Sequence, residues 1–168
     1  PLHGLDITYG MLKRASKAFS QTNSDASFLL TCASALEMPY AAQSFDLAIC
    51  GLATHHMHVP TLLSEMYRIL EVDGRIAIAD VGSSPLWRIP GVKTLLRIGA
   101  LIFFLIRENW ERAWAEALAV SNVLTSEEWA ALLEEAGFTI ISIQRLQSKY
   151  KWIPDPLIMH AKKPGRER

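Results

Sequence analysis

The sequence predicts an α/β domain, a mainly parallel sheet with helices on its faces. Three observations carry this. Apolar runs of strand length alternate with stripes at helical spacing, in the order strand, helix, strand, strand, helix, strand. A polar turn, Ser34-Ala35-Leu36-Glu37-Met38-Pro39-Tyr40, leads to the apolar run 45–50, which Gly51 releases into Thr54-His55-His56. The chain has 168 residues, 50% hydrophobic and 20% charged, enough for one globular domain with a sizeable core.

The elements follow in order. Residues 2–7 read as a short strand ending at the acid Asp6. Thr8 can cap the next helix, in which Met11, Leu12, Ala15 and Phe19 keep helical spacing. A polar linker, 21–27, precedes a second buried strand at 28–32, and the run 45–50 is the third. Pro60 suits the first turn of a helix whose stripe is Leu62, Leu63, Met66, Ile69 and Leu70. Val72-Asp73-Gly74 reads as a turn and 75–80 as a fourth strand, ending at Asp80.

From 83 to 122 the pattern changes into a helical insert, entered past Pro85 and Pro90. Residues 92–106 are apolar on most sides, and their longest uncharged stretch, 98–106, falls short of the ~20 residues a membrane span needs. Residues 108–120 form a more amphipathic helix, with Glu108 and Arg112 at a favourable spacing. The insert is expected to lie over the end of the sheet, closing the core or serving as a lid. A peripheral membrane contact through 87–114 is the alternative, which Trp87, Phe103, Phe104, Trp110 and Trp114 would also suit, although a clear basic face is missing. Thr125-Ser126-Glu127-Glu128 has capping-box spacing, and Gly137 stops the helix that follows. Strands at 138–146 and 157–161 complete the chain, the second introduced by Pro154 and Pro156, before a basic tail expected to be solvated.

Composition excludes some functions. Lys+Arg and Asp+Glu stand at 17 each, which argues against nucleic-acid binding. The two cysteines, Cys32 and Cys50, sit in or beside apolar runs, as expected in a reducing, cytoplasmic setting. Pro1 in place of an initiator Met suggests that residues precede it.

In open α/β sheets ligands bind outside the carboxyl ends of strands, which directs attention to Asp6, Cys50, Gly51, His55, His56 and Asp80. A strand-end acid such as Asp6 can accept hydrogen bonds from both hydroxyls of a ribose, or simply cap a helix. The glycine-rich turn that accompanies such an acid would fall before Pro1, and no G-x-G-x-x-G occurs in the chain. His55, His56 and His58 invite a metal reading, but no nearby Cys or acid pattern completes a site, so no metal is expected. Ser16, Ser64 and Ser84 lack a nucleophile-elbow context, which disfavours acyl transfer.

The segments Gly4-Leu5-Asp6-Ile7-Thr8-Tyr9-Gly10-Met11-Leu12, Ala35-Leu36-Glu37-Met38-Pro39-Tyr40, Ser44-Phe45-Asp46-Leu47, His55-His56, Glu65-Met66-Tyr67-Arg68-Ile69-Leu70, Asp73-Gly74-Arg75 and Ala136-Gly137-Phe138 occur in one order. In that order and spacing the chain resembles the class I S-adenosylmethionine-dependent methyltransferases, most closely their small-molecule branch. The resemblance implies a Rossmann-like sheet, mainly parallel with a C-terminal antiparallel strand pair, and a helical insert after Asp80. In the family the strands lie third, second, first, fourth, fifth, seventh, sixth. The first strand and its glycine loop are missing here, so residues 1–168 would be a single, N-terminally truncated domain with its insert at 83–122.

The resemblance also implies a cofactor, S-adenosyl-L-methionine. Asp6 would hold its ribose and Ile7 would pack on the adenine. Ser34 and Ala35 match the pair that reads the adenine edge, with Ser34 standing where the family usually has Asp. Cys50 and Gly51 would lie under the methionine part. His55, His56 and Asp80 would line the pocket of a small-molecule or lipid-like acceptor. His56 would be the base where the acceptor has a proton to lose. A catalytically silent fragment or pseudo-methyltransferase, acting as an interaction module, is the rival from another class. An NAD-dependent oxidoreductase shares the strand-end acid but leaves Met38-Pro39-Tyr40 and Ser44-Phe45-Asp46 unexplained.

Overall fold

The computed structural model of the chain describes residues 1–22, 27–82, 87, 89–147 and 155–165. The middle of the linker, Ser84, Pro85, Pro154 and the last three residues lie outside them. The chain forms two compact units, 1–41 and 42–168.

The first unit holds β1 (Leu2–Asp6), α1 (Tyr9–Ser20) and β2 (Phe28–Cys32). The strands pair in parallel, Asp6 opposite Cys32. Parallel strands need a crossover, and α1 is that crossover. Thr8 stands at the N-cap, as expected, but its side chain makes no capping bond. Its backbone N–H donates instead to Asp6 Oδ1, at 2.7 Å. A two-residue Asp-to-backbone bond closes the turn locally, so the hydroxyl is not needed. Phe19 and Phe28 stack with ring centroids 4.4 Å apart, and Leu12 is the one buried apolar residue described in this unit.

The second unit holds β3 (Phe45–Gly51), a 3-10 turn (Thr54–His56), α2 (Val59–Ile69), β4 (Leu70–Val81), α3 (Val92–Arg107), α4 (Trp110–Ala119), α5 (Ser126–Glu135), β5 (Thr139–Arg145) and β6 (Pro156–Lys162). The sheet order is β3-β4-β6-β5, with β3 and β4 parallel and β6 antiparallel to both β4 and β5.

The core follows the predicted periods. Leu62, Leu63, Met66 and Ile69 are buried along one face of α2. Ile76 and Ile78 alternate inward on β4, and Leu157, Met159 and Ala161 do so on β6. Trp129 and Leu133 of α5 complete the buried layer. Burying a Leu, Ile or Met side chain is worth about 1.5–3 kcal/mol, so this layer dominates the unit's stability.

Three local expectations are corrected. Val72-Asp73-Gly74 does not break the chain before a strand; β4 runs through it, with a register irregularity opposite Phe45–Leu47 and Asp73 at φ 67°. The irregularity absorbs the turn without ending the ladder. The start of the basic tail is not solvated. Lys163 Nζ donates to the carbonyls of Tyr67 and Leu70, each at 2.8 Å, and lies 4.5 Å from the centre of the Tyr67 ring. An ammonium at the carboxyl end of α2 satisfies orphan carbonyls and opposes the helix dipole. Finally, α3 does not close the core, since none of its residues is buried. That work falls to Ala113, Ala117 and Ala119 of α4.

Candidate functional site

The carboxyl ends of the strands build two groups of functional residues, one in each unit. In the first unit Asp6 and Cys32 end adjacent parallel strands, and the Ala33 N–H donates to the Asp6 carbonyl at 3.2 Å. The register therefore carries Ser34 and Ala35 to the strand end that bears Asp6. The Ser34 hydroxyl accepts from the Leu36 N–H at 3.1 Å, and the Ser34 carbonyl from the Glu37 N–H at 3.3 Å. This turn leaves the Ala35 N–H with no partner among the described residues. Asp6 spends Oδ1 on Thr8, and Oδ2 takes no bond from them. Ile7 projects beyond the strand with 73% of its surface exposed.

An unspent carboxylate oxygen, an unspent amide and an exposed apolar side chain at one strand end fit a nucleoside. A carboxylate can accept from hydroxyls, an amide can donate to a ring nitrogen, and an apolar side chain can cover a flat ring. These are the roles the resemblance implied for the three residues. Ser34 differs, because its hydroxyl already serves the turn.

In the second unit the chain leaves β3 through Gly51 and turns at Thr54–His56. The turn is tied to Asp80 on β4. This carboxylate is 2% exposed. It accepts from the Thr54 hydroxyl, the His55 N–H at 3.1 Å, the Val81 N–H at 2.7 Å, and His55 Nδ1 at 2.7 Å. A buried charge is tolerable when donors surround it in this way. The bond to Asp80 raises the pKa of His55 above 6.5, against an opposing effect of burial. The pKa of His56 is lowered, by burial first and then by the neighbouring His55. The two rings are 4.2 Å apart, centre to centre.

Helix α4 closes over this turn. Its buried alanines seat it, Asn109 caps its first turn by accepting from the Arg112 N–H, and Asn122 just beyond it donates to the His55 carbonyl at 3.1 Å. Glu116 of α4 is thereby brought to His55 and His56. Sequence reasoning found the two histidines and Asp80 but not Glu116 or Asn122. The spacing noted there joined only Glu108 and Arg112, whose ion pair is present at 3.0 Å, and Arg112 also lies 3.7 Å from Glu116.

Cys50 lies one residue before the end of β3, half-buried. Burial, and to a lesser extent the charge of Asp80, pushes its thiol up to about 11. It is an inert lining residue rather than a nucleophile.

Parallel strands with acids at their carboxyl ends, a crossover helix between them and a terminal antiparallel pair belong to a Rossmann-like α/β fold, which the chain shares with solved methyltransferases. Residues 1–78 match the family described as a methyltransferase domain. The chain is similar in fold to a SAM-dependent methyltransferase from Methanosarcina mazei, with a TM-score of 0.68 at 15% identity, covering 96% of this chain and 81% of that one. It is similar to the demethylmenaquinone methyltransferase of Lactobacillus johnsonii, 24% identical over 152 residues, 85% of this chain and 59% of the relative. It is also similar to the biotin biosynthesis bifunctional protein BioHC of Teredinibacter turnerae, 28% identical over 142 residues, 84% of this chain and 22% of the relative. The chain thus spans less than two thirds of either curated relative.

Proposed function

We propose that this chain takes part in S-adenosylmethionine-dependent methyl transfer to a small-molecule, lipid-like acceptor. The observation that carries the proposal is the juxtaposition of the Asp6 carboxylate and the Ala35 amide at the ends of paired parallel strands. When bound, the cofactor supplies a methyl group already activated on a sulfonium. The protein's work is then to align an acceptor with it, which can contribute several kcal/mol, about 7–11 in the best-aligned systems.

On this reading Asp6 holds the ribose, Ile7 packs on the adenine, and Ala35 donates to its edge. In the second unit Cys50 presents a protonated thiol one residue before the end of β3. His55, His56 and Asp80 form the acceptor side. Asp80 fixes His55 through Nδ1, which leaves Nε2 to receive a proton. The general base is therefore assigned to His55 in place of His56, whose ring makes no hydrogen bond to a carboxylate among the described residues. Isothermal titration with S-adenosylhomocysteine tests the cofactor reading. Binding that Asp6→Ala abolishes supports it. No binding either to this chain or to one with upstream residues restored removes it in favour of the silent interaction module, whereas binding only after restoration means a truncated enzyme.

The acceptor class rests on α3. Leu95, Ile98, Ile102 and Ile106 form an exposed stripe, 49–80% accessible, on a helix that carries Lys93, Arg97 and Arg107 and no acid. Trp110 and Trp114 stack beside it, both about half exposed. Apolar area flanked by cations matches an anionic lipid surface, on which such a helix lies flat. No helix among the described residues is long and apolar enough to cross a membrane. The Lactobacillus relative is a demethylmenaquinone methyltransferase, and a lipid-like acceptor suits the same surface. The free cysteines suit the cytoplasmic side. Co-sedimentation with vesicles containing anionic lipid, lost in Ile98→Glu/Ile102→Glu, is the expected result. Sedimentation that this variant leaves unchanged removes the membrane contact.

A further inference from the structure

Beyond methyl transfer, we infer that His55, His56 and Glu116 form a binding site for one divalent transition-metal ion, with Zn²⁺ the ion that best suits the donor set. The site stands on geometry within the second unit and does not depend on the cofactor reading.

The donor atoms of these three side chains lie within 4.8 Å of one another. Two donors bound to one tetrahedral Zn²⁺ at about 2.1 Å each stand about 3.4 Å apart, so the widest pair would have to close by up to about 1.4 Å. His56 is exposed and Glu116 half-buried, so rotation of these two side chains is the movement that would bring the donors together. Two imidazoles and a carboxylate favour Zn²⁺ and its neighbours over Mg²⁺ or Ca²⁺, which want oxygen ligands. Three protein ligands also leave a coordination position for water or for an oxygen atom of a bound molecule.

A second feature points the same way. A metal-bound histidine usually gives its other ring N–H to a carboxylate, which fixes the ring and its tautomer. His55 has this arrangement already. Nδ1 is 2.7 Å from Asp80 Oδ1, and Nε2 is left for the ion. Asp80 is buried and held by backbone and hydroxyl donors, so the ring cannot swing away from the site. Asn122 pins the His55 carbonyl, and the seated alanines of α4 fix the backbone that presents Glu116. Among the described residues Glu116 pairs with Arg112 at a long 3.7 Å, and Arg112 has Glu108 at 3.0 Å as a closer partner. Binding a cation therefore costs Arg112 little.

A metal-bound His55 cannot also accept a proton at Nε2. With the ion present, an acceptor oxygen would be polarised by the cation, and with the ion absent its proton would go to Nε2 of His55. Chelator-stripped protein should be titrated with Zn²⁺ against a chromophoric indicator, and with Co²⁺ while visible absorption is followed. The expected result is one equivalent of either ion and a Co²⁺ band typical of four- or five-fold coordination. His56→Ala and Glu116→Gln should each weaken Zn²⁺ binding by roughly tenfold or more, the size of effect seen even for outer-shell partners. His58→Ala and Cys32→Ser should leave it unchanged, both residues lying outside the cluster. Unfolding curves of the variants identify any loss that comes from misfolding. The proposal fails if no stoichiometric binding is seen, if folded His56→Ala and Glu116→Gln bind as the wild type does, or if binding disappears with His58 or Cys32.

Discussion

Replacing Asp80 with Asn tests whether the buried carboxylate organises the histidine turn. The side chains have nearly the same shape, so packing is preserved and only charge and one acceptor change. In the wild type the two oxygens accept four bonds, from the Thr54 hydroxyl and His55 N–H on one side and from the Val81 N–H and His55 Nδ1 on the other. Asn offers one oxygen and one amino group. With the amino group toward Thr54, that hydroxyl can rotate to accept, but the His55 N–H is left facing a donor. With it toward Val81, the imidazole can change tautomer, but the Val81 N–H is orphaned.

Either way one half-buried backbone donor loses its partner, at about 1–3 kcal/mol, and the remaining bonds lose their ionic character. The sum is about 3 kcal/mol, a large share of the ~5–15 kcal/mol that holds a domain together. Urea unfolding followed by far-ultraviolet circular dichroism should show a lower midpoint and an unchanged slope, because the area exposed on unfolding is the same. Asp80→Ala, which removes every acceptor at once, should cost more than Asp80→Asn. A loss below about 1 kcal/mol for Asp80→Asn would refute the accounting, since it is smaller than a single orphaned donor.

Three further outcomes are expected. Thr125→Ala removes the hydroxyl that accepts from the Glu128 N–H at 3.2 Å, in a capping box whose Thr is 2% exposed, and should cost about 1–2 kcal/mol in the same urea assay. Lys163→Met keeps the aliphatic stem but removes two charged hydrogen bonds to the end of α2, and should lower stability by about 1–3 kcal/mol, with little dependence on salt because the ammonium is half-buried. Iodoacetamide at mildly alkaline pH should label exposed Cys32 and spare Cys50, whose thiol at about 11 against the usual 9.0 holds roughly a hundredfold less thiolate. Equal labelling of both cysteines in the folded chain would contradict the burial of Cys50.

Much of this molecule was legible in its sequence because the signals are local. The period-two alternation of Ile76 and Ile78, the helical stripe of Leu62, Leu63 and Met66, the Thr125–Glu128 box and the Gly137 stop each act within a few residues. Gly137 adopts φ 89°, which a residue with a side chain would resist. The position of Asp6 was equally readable, since a strand that ends at an acid puts that acid at the ligand end of a parallel sheet.

The tertiary structure decided what depends on distance through space. Glu116 meets His55 and His56 because small buried alanines let α4 lie close to the turn after β3, and no periodicity announces that approach. Lys163 reaches the end of α2 because the antiparallel pairing of β6 with β4 returns the chain to that point. The apolar pattern of α3 marked a helix, but only packing shows that its stripe faces outward rather than into the core. Hydrophobic spacing tells which residues of an element share a face. What that face meets is set by the neighbours that the chain brings to it.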